Sequence, residues 1–151
     1  MSVVTESIIF LLTSIPICIS DIKTQKIPDA FTLLSLSLLT LYRVLATKTM
    51  LWLYLLTALL APLFLMIIRF VSKKGLGWGD VKYGSACGMY AGPLAVFLGF
   101  FFAALLAALA ITIQKKWHSD KAIAFAPFIT AGTLLAGILF NMPFFSILTK
   151  Y

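Results

Sequence analysis

The sequence predicts an all-α, polytopic integral membrane protein of about six transmembrane helices, its N-terminus outside. Three observations carry that prediction. Of 151 residues, 62% are hydrophobic and 11% charged, with a mean hydropathy of +1.05, whereas a soluble domain carries about a quarter charged residues. Too little polar surface exists to cover a soluble globular core, and the excess of apolar surface excludes disorder. Each span needs roughly 20 apolar residues, so six consume about 120 and leave about 30 for loops and tails. The chain therefore reads as a single membrane-embedded domain over residues 1–151.

The elements follow in order. Residues 3–20 form the first apolar stretch; it lacks the basic leader and small-residue cleavage pattern of a signal peptide, so it is expected to stay as a membrane helix. A polar loop, 21–29, contains Pro28, which blocks helix continuation, and Asp29, a candidate N-cap for the second span at 30–46. Arg43 is placed to snorkel toward the far surface, where Glu6 reads as an interfacial residue. After a short loop around 47–49, the third span, 50–71, carries Pro62, a kink that a membrane bundle tolerates. Residues 72–80 are too rich in glycine for a regular helix. The fourth, short stretch at 81–93 places Gly84, Gly88 and Gly92 on one face, which permits close helix packing. The fifth span, 94–114, and the sixth, 122–140, flank a basic loop in which His118 and Asp120 read as solvated.

The charge of +7 belongs to this topology and not to nucleic acid, because Lys and Arg accumulate in cytoplasmic loops. With the N-terminus outside, the inner side collects Lys23, Lys26, Arg69, Lys73, Lys74, Lys82, Lys115, Lys116 and Lys121. The outer side collects only Arg43, Lys48 and Lys150. Cys18 and Cys87 form no C-x-x-C pair, and nothing in the sequence calls for a metal or cofactor.

The acidic residues are five: Glu6, Asp21, Asp29, Asp80 and Asp120. The topology sets Asp21 and Asp80 at the same depth on the cytoplasmic side. Either alone reads more readily as structural, Asp21 as a cap or as a partner of Lys23 or Lys26. Together they suit aspartyl protease chemistry, in which two close carboxylates share one proton. The ionised one deprotonates water and the protonated one donates to the carbonyl oxygen. Gly75, Gly77 and Gly79 would let backbone approach a substrate and carry Asp80 on a bendable segment.

The signal becomes specific when two motifs are read together. The first is Asp21-Ile-Lys-Thr-Gln-Lys-Ile27-Pro28-Asp29; the second is Gly77-Trp78-Gly79-Asp80-Val81-Lys82. A softer third, Phe125-Ala126-Pro127-Phe128 with Gly132 beyond it, opens the last helix. In this order they resemble the type IV prepilin peptidases and the related archaeal preflagellin peptidases, with Asp29 where that family usually has Asn. The resemblance implies a membrane aspartic endopeptidase of the cytoplasmic (inner) membrane with Asp21 and Asp80 as its dyad. It implies prepilin or pilin-like proteins as partners, cut between a short basic leader and an apolar helix. Gly77, Gly79, Lys82 and Pro28 would bind substrate or support the loops, Lys82 by anchoring or substrate contact. Trp78 reads as a substrate contact or an interface anchor. The chain resembles the short, peptidase-only form, without the cysteine-paired domain associated with N-methylation.

Two other classes compete. A small transporter or assembly subunit would use boundary carboxylates for protons or ions, yet no internal repeat is visible. Presenilin-type proteases share the glycine-x-glycine-aspartate, but their first aspartate follows tyrosine, whereas Asp21 follows Ser20.

Overall fold

A computed structural model describes residues 2–46, 51–71, 76–116 and 124–141. Lys48, Lys73, Lys74, Gly75, His118, Asp120, Lys121 and Lys150, with the loop readings attached to them, lie outside the described residues. All regular structure among the described residues is helical: α1 (Ser2–Thr24), α2 (Asp29–Ala46), α3 (Leu51–Val71), α4 (Trp78–Ala91), α5 (Pro93–Lys116) and α6 (Ala126–Asn141). Four of them, at Val3–Thr24, Asp29–Ala46, Leu51–Val71 and Pro93–Ile113, are long and apolar enough to cross a bilayer. The 14 residues of α4 rise about 21 Å and the 16 of α6 about 24 Å, less than the ~30 Å hydrocarbon core.

Helix α4 is the centre of the bundle. It packs against all five other helices, most extensively α3, while α5 pairs with α6. Ten of its fourteen residues are buried, among them Tyr83, Ala86, Cys87, Met89 and Tyr90. The glycine register explains how α3 comes so close. A Cβ at Gly88 would lie 2.6 Å from the Thr57 carbonyl oxygen, and one at Gly84 2.7 Å from Leu65 Cδ1. Gly92 faces Tyr54 on the same helix and ends α4 at φ +80°, a conformation that favours glycine. The expected close packing along that face is therefore present.

Polarity runs inward, as a lipid solvent demands. Leu33, Leu45, Leu59, Ile67, Phe70, Leu94 and Ile113 are exposed, whereas Ser14, Ser35, Thr57, Thr130 and Thr133 are buried. Without a hydrophobic drive between helices, association rests on close packing and interhelical hydrogen bonds. Tyr83 supplies the central pair: its hydroxyl donates to Ser14 Oγ at 2.6 Å and bonds Thr130 Oγ1 at 2.9 Å, tying α1, α4 and α6 together.

At the end of the bundle holding the α1 N-terminus, the expectations for Glu6 and Arg43 are corrected. Neither reaches the surface; each is about 4% exposed, and Arg43 Nη2 bonds Glu6 Oε2 at 3.0 Å. The guanidinium also donates to the carbonyls of Met89 (3.0 Å) and Tyr90 (2.9 Å), at the C-terminus of α4, and lies over the Tyr54 ring. A lone charge in the bilayer is costly, and pairing it to a carboxylate and to carbonyls left over at a helix end offsets part of that cost.

Candidate active site

The opposite end of the bundle gathers both aspartates. α1 continues as helix to Thr24, so Asp21 stands on its last turn and not in a loop. The helix closes at Gln25, whose φ of 53° is left-handed and whose N–H donates to the Asp21 carbonyl at 2.8 Å. Ser20 and Thr24 hydroxyls both donate to the Lys26 carbonyl and hold the turn that leads to Ile27 and Pro28. Asp80 stands in the first turn of α4, which begins at Trp78. Both aspartates are 6% exposed.

The glycines of the second motif leave room for their neighbours. Gly79 already lies in the helix, and a Cβ there would sit 2.7 Å from Ile27 Cβ. Its bareness lets the Ile27-Pro28 turn close over the start of α4. Gly77 is extended (φ −70°, ψ 151°), a conformation open to any residue. A Cβ there would come within 2.9 Å of Asp80 Oδ2, and its N–H donates to that same oxygen at 3.1 Å.

The two carboxylates face different surroundings. Asp21 Oδ2 accepts the Ala126 N–H at 2.9 Å, at the N-terminus of α6. That position presents an unsatisfied donor and the positive end of the helix dipole to a negative charge. Pro127, next in the chain, has no N–H, which leaves Ala126 as the donor at this corner. Asp80, just outside the apolar stretch that starts at Val81, is pushed up to about 7 from 3.8. Burial is the main cause and the Asp21 charge the second, opposed by the Gly77 N–H and Arg69. Asp80 Oδ1 is buried and has no hydrogen-bond partner.

Asp21 and Asp80 line one cavity of about 310 Å³, with Gln25, Lys26, Ile27, Asp29, Gly77, Trp78, Gly79 and Lys82. Of the residues singled out from the sequence, Asp21, Asp80, Gly77, Gly79 and Lys82 line it. Pro28 does not, and instead accepts the Phe31 N–H at the start of α2. Asp29 is thus the first helical residue and not the cap. Its carboxylate pairs with Lys82 Nζ at 2.7 and 2.8 Å, a partially exposed ion pair that joins α2 to α4. Lys82 is anchored by that pair. Among the described residues, no three His, Cys, Asp or Glu side chains cluster as metal ligands do.

Three contributors escape a reading of the sequence. Ala126 acts through its backbone, 105 residues from Asp21, and only the Phe-x-Pro-Phe motif hints at the corner it occupies. Arg69, which reads as a topogenic charge, donates to the Leu76 carbonyl and stacks over Trp78, 4.7 Å from the ring centroid. It fixes the segment that leads into Asp80. Tyr83 follows Asp80 by three residues, a helical spacing, and its bond to Thr130 sets α6, whose first N–H meets Asp21.

The type IV leader peptidase family matches residues 8–113. The prepilin leader peptidase/N-methyltransferase of Bacillus subtilis (strain 168) is 29% identical over 133 residues, which cover 86% of this chain and 54% of that protein. The chain thus spans about half the length of that relative. No solved structure gives a significant match. With both motifs inside the matched region, the chain belongs to the type IV leader peptidase family.

Proposed function

We propose that the chain is a membrane aspartic endopeptidase that removes the basic leader from prepilin or pilin-like precursors at the cytoplasmic membrane face. The observation that carries this reading is the shared cavity: two buried carboxylates from distant motifs, one with an unpartnered oxygen. The proposed orientation, N-terminus outside, is supported by Lys23, Lys26, Arg69 and Lys82, which lie at the same end as the aspartates.

Unlike surroundings divide the roles. Asp21, facing the α6 N-terminus, is the ionised partner, and Asp80, raised by burial and by Asp21, holds the proton near neutral pH. Asp21 takes a proton from water, whose oxygen bonds to the scissile carbonyl carbon, while Asp80 Oδ1 gives its proton to the carbonyl oxygen. The tetrahedral intermediate then collapses. The proton on Asp21 passes to the leaving nitrogen as the C–N bond breaks, and a hydroxyl proton returns to Asp80. The ion-handling alternative gains no support: no internal repeat is visible in the sequence, and fully buried Phe10, Ile17 and Met89 occupy the core.

Co-expression with a tagged prepilin from the same genome tests the proposal. A gel shift marking loss of the leader is expected with the wild type. A wild-type protein that inserts into the membrane and leaves the precursor intact would overturn the reading.

A further inference from the structure

A second cavity, of about 390 Å³, adjoins the first and is lined by Asp29, Thr32, Leu33, Leu36, Pro62, Lys82 and Ser85. Its construction follows from the packing order. α2 packs on α1 and α4, and α3 packs on α4 and α5, so α2 and α3 flank α4 with little contact between them. Asp29, Thr32, Leu33 and Leu36 recur at i, i+3, i+4 and i+7, one face of α2. Lys82 and Ser85 of α4 form the floor, and Pro62 of α3 the opposite wall. Leu33 is 61% exposed, so the cleft opens sideways toward the region of the bundle clothed in apolar side chains.

Two observations point to an occupant. Asp29 and Lys82 line both cavities, so a chain leaving the aspartates passes the ion pair and enters the cleft without crossing a helix. Thr32, one of the lining residues, is 5% exposed, and its Oγ1 has no hydrogen-bond partner. A buried polar atom left unpaired costs about 1–3 kcal/mol and marks a place where a partner is missing. Peptide cleavage needs an extended backbone, and where such a segment joins a helix its carbonyls lack intrahelical donors. In a lipid-facing cleft an unsatisfied carbonyl must find a protein donor.

We propose that this cleft between α2 and α3 receives the apolar membrane segment of the precursor just after the scissile bond, with Thr32 Oγ1 donating to a carbonyl where that segment unwinds. Leu33, Leu36 and Pro62 contact its apolar side chains. The proposal rests on the peptidase reading above and adds the path by which the substrate lies.

The test uses the full chain in liposomes and two synthetic probes. One carries a basic leader, a glycine at the scissile bond and a Leu/Ala-rich apolar segment; the other stops three residues beyond the scissile bond. Leu36→Trp, which fills the cleft, is expected to lower the ratio of kcat/KM between long and short probes at least 10-fold. Leu105→Trp, on the exposed face of α5, is expected to leave that ratio unchanged. In an Asp80→Asn background, p-benzoylphenylalanine in place of Leu33 is expected to cross-link the long probe, and in place of Leu105 it is not. The cross-link needs no folded Leu36 variant. Wild-type cleavage of the long probe with an unchanged Leu36→Trp ratio and no Leu33 adduct overturns the cleft while leaving the peptidase intact. Cleavage of neither probe by the wild type overturns both.

Discussion

Replacing Asp80 by Asn separates the cost of burying a carboxylate from its chemistry. Asp80 is 6% exposed and keeps its proton to about 7, against 3.8 in an unperturbed chain. For a folded value raised above the unfolded one, the proton's stabilisation is full below 3.8 and is lost as pH rises through about 7. Above that pH the folded protein carries a buried charge. At 1.36 kcal/mol per pH unit, the interval amounts to on the order of 4 kcal/mol. Asn mimics the protonated form, since its oxygen can still accept the Gly77 N–H. Asp80→Asn is therefore expected to exceed the wild type by about 0.5 kcal/mol at pH 4 and on the order of 4 kcal/mol at pH 8. In thermal unfolding in detergent micelles, the pH 8 difference corresponds to ~10 °C in Tm. An equal gap at both pH values, or an Asn variant less stable at pH 8, would refute the account of the Asp80 environment.

Other expectations follow from the same geometry. Cleavage of a prepilin by the wild type should fall about tenfold per pH unit above about 7, as Asp80 loses the proton it donates; a rate still rising at pH 9 contradicts that role. Gly79→Ala drives a Cβ to 2.7 Å from Ile27 Cβ. It should cost about 1–3 kcal/mol and most of the cleavage, and adding Ile27→Ala should restore part of both. Glu6→Gln leaves the buried Arg43 charge without its carboxylate and should lower stability by about 3–5 kcal/mol. The specific activity of the protein that remains folded should be unchanged, since the pair lies at the other end of the bundle.

Much of this arrangement is legible from residue order alone. Long apolar stretches announce α1, α2, α3 and α5, and the three glycines of α4 mark the face that meets α3. The two aspartate motifs reveal themselves because each couples its acid to helix-breaking residues that bound a short polar segment. What stays hidden depends on pairings across the chain. Arg43 and Glu6 are 37 residues apart, and each resembles an interfacial charge until α4 brings two free carbonyls between them. Asp29 passes for a cap because Asp caps helices well, but one residue of register commits it to Lys82 instead. Asp21 looks like a loop residue because Pro28 is the visible breaker, yet the left-handed Gln25 ends the helix three residues earlier. Its partner is a backbone N–H, which no side chain advertises.

The central claim is that Asp21 and Asp80 work as one unit in one cavity. Its most direct test is single-turnover cleavage of a purified prepilin by Asp21→Asn, Asp80→Asn and the double variant in liposomes. Groups that act as a unit are non-additive. Each single variant is predicted to fall to background, with the double variant no lower and all three still inserted and folded. Wild-type cleavage by either single variant would contradict the account.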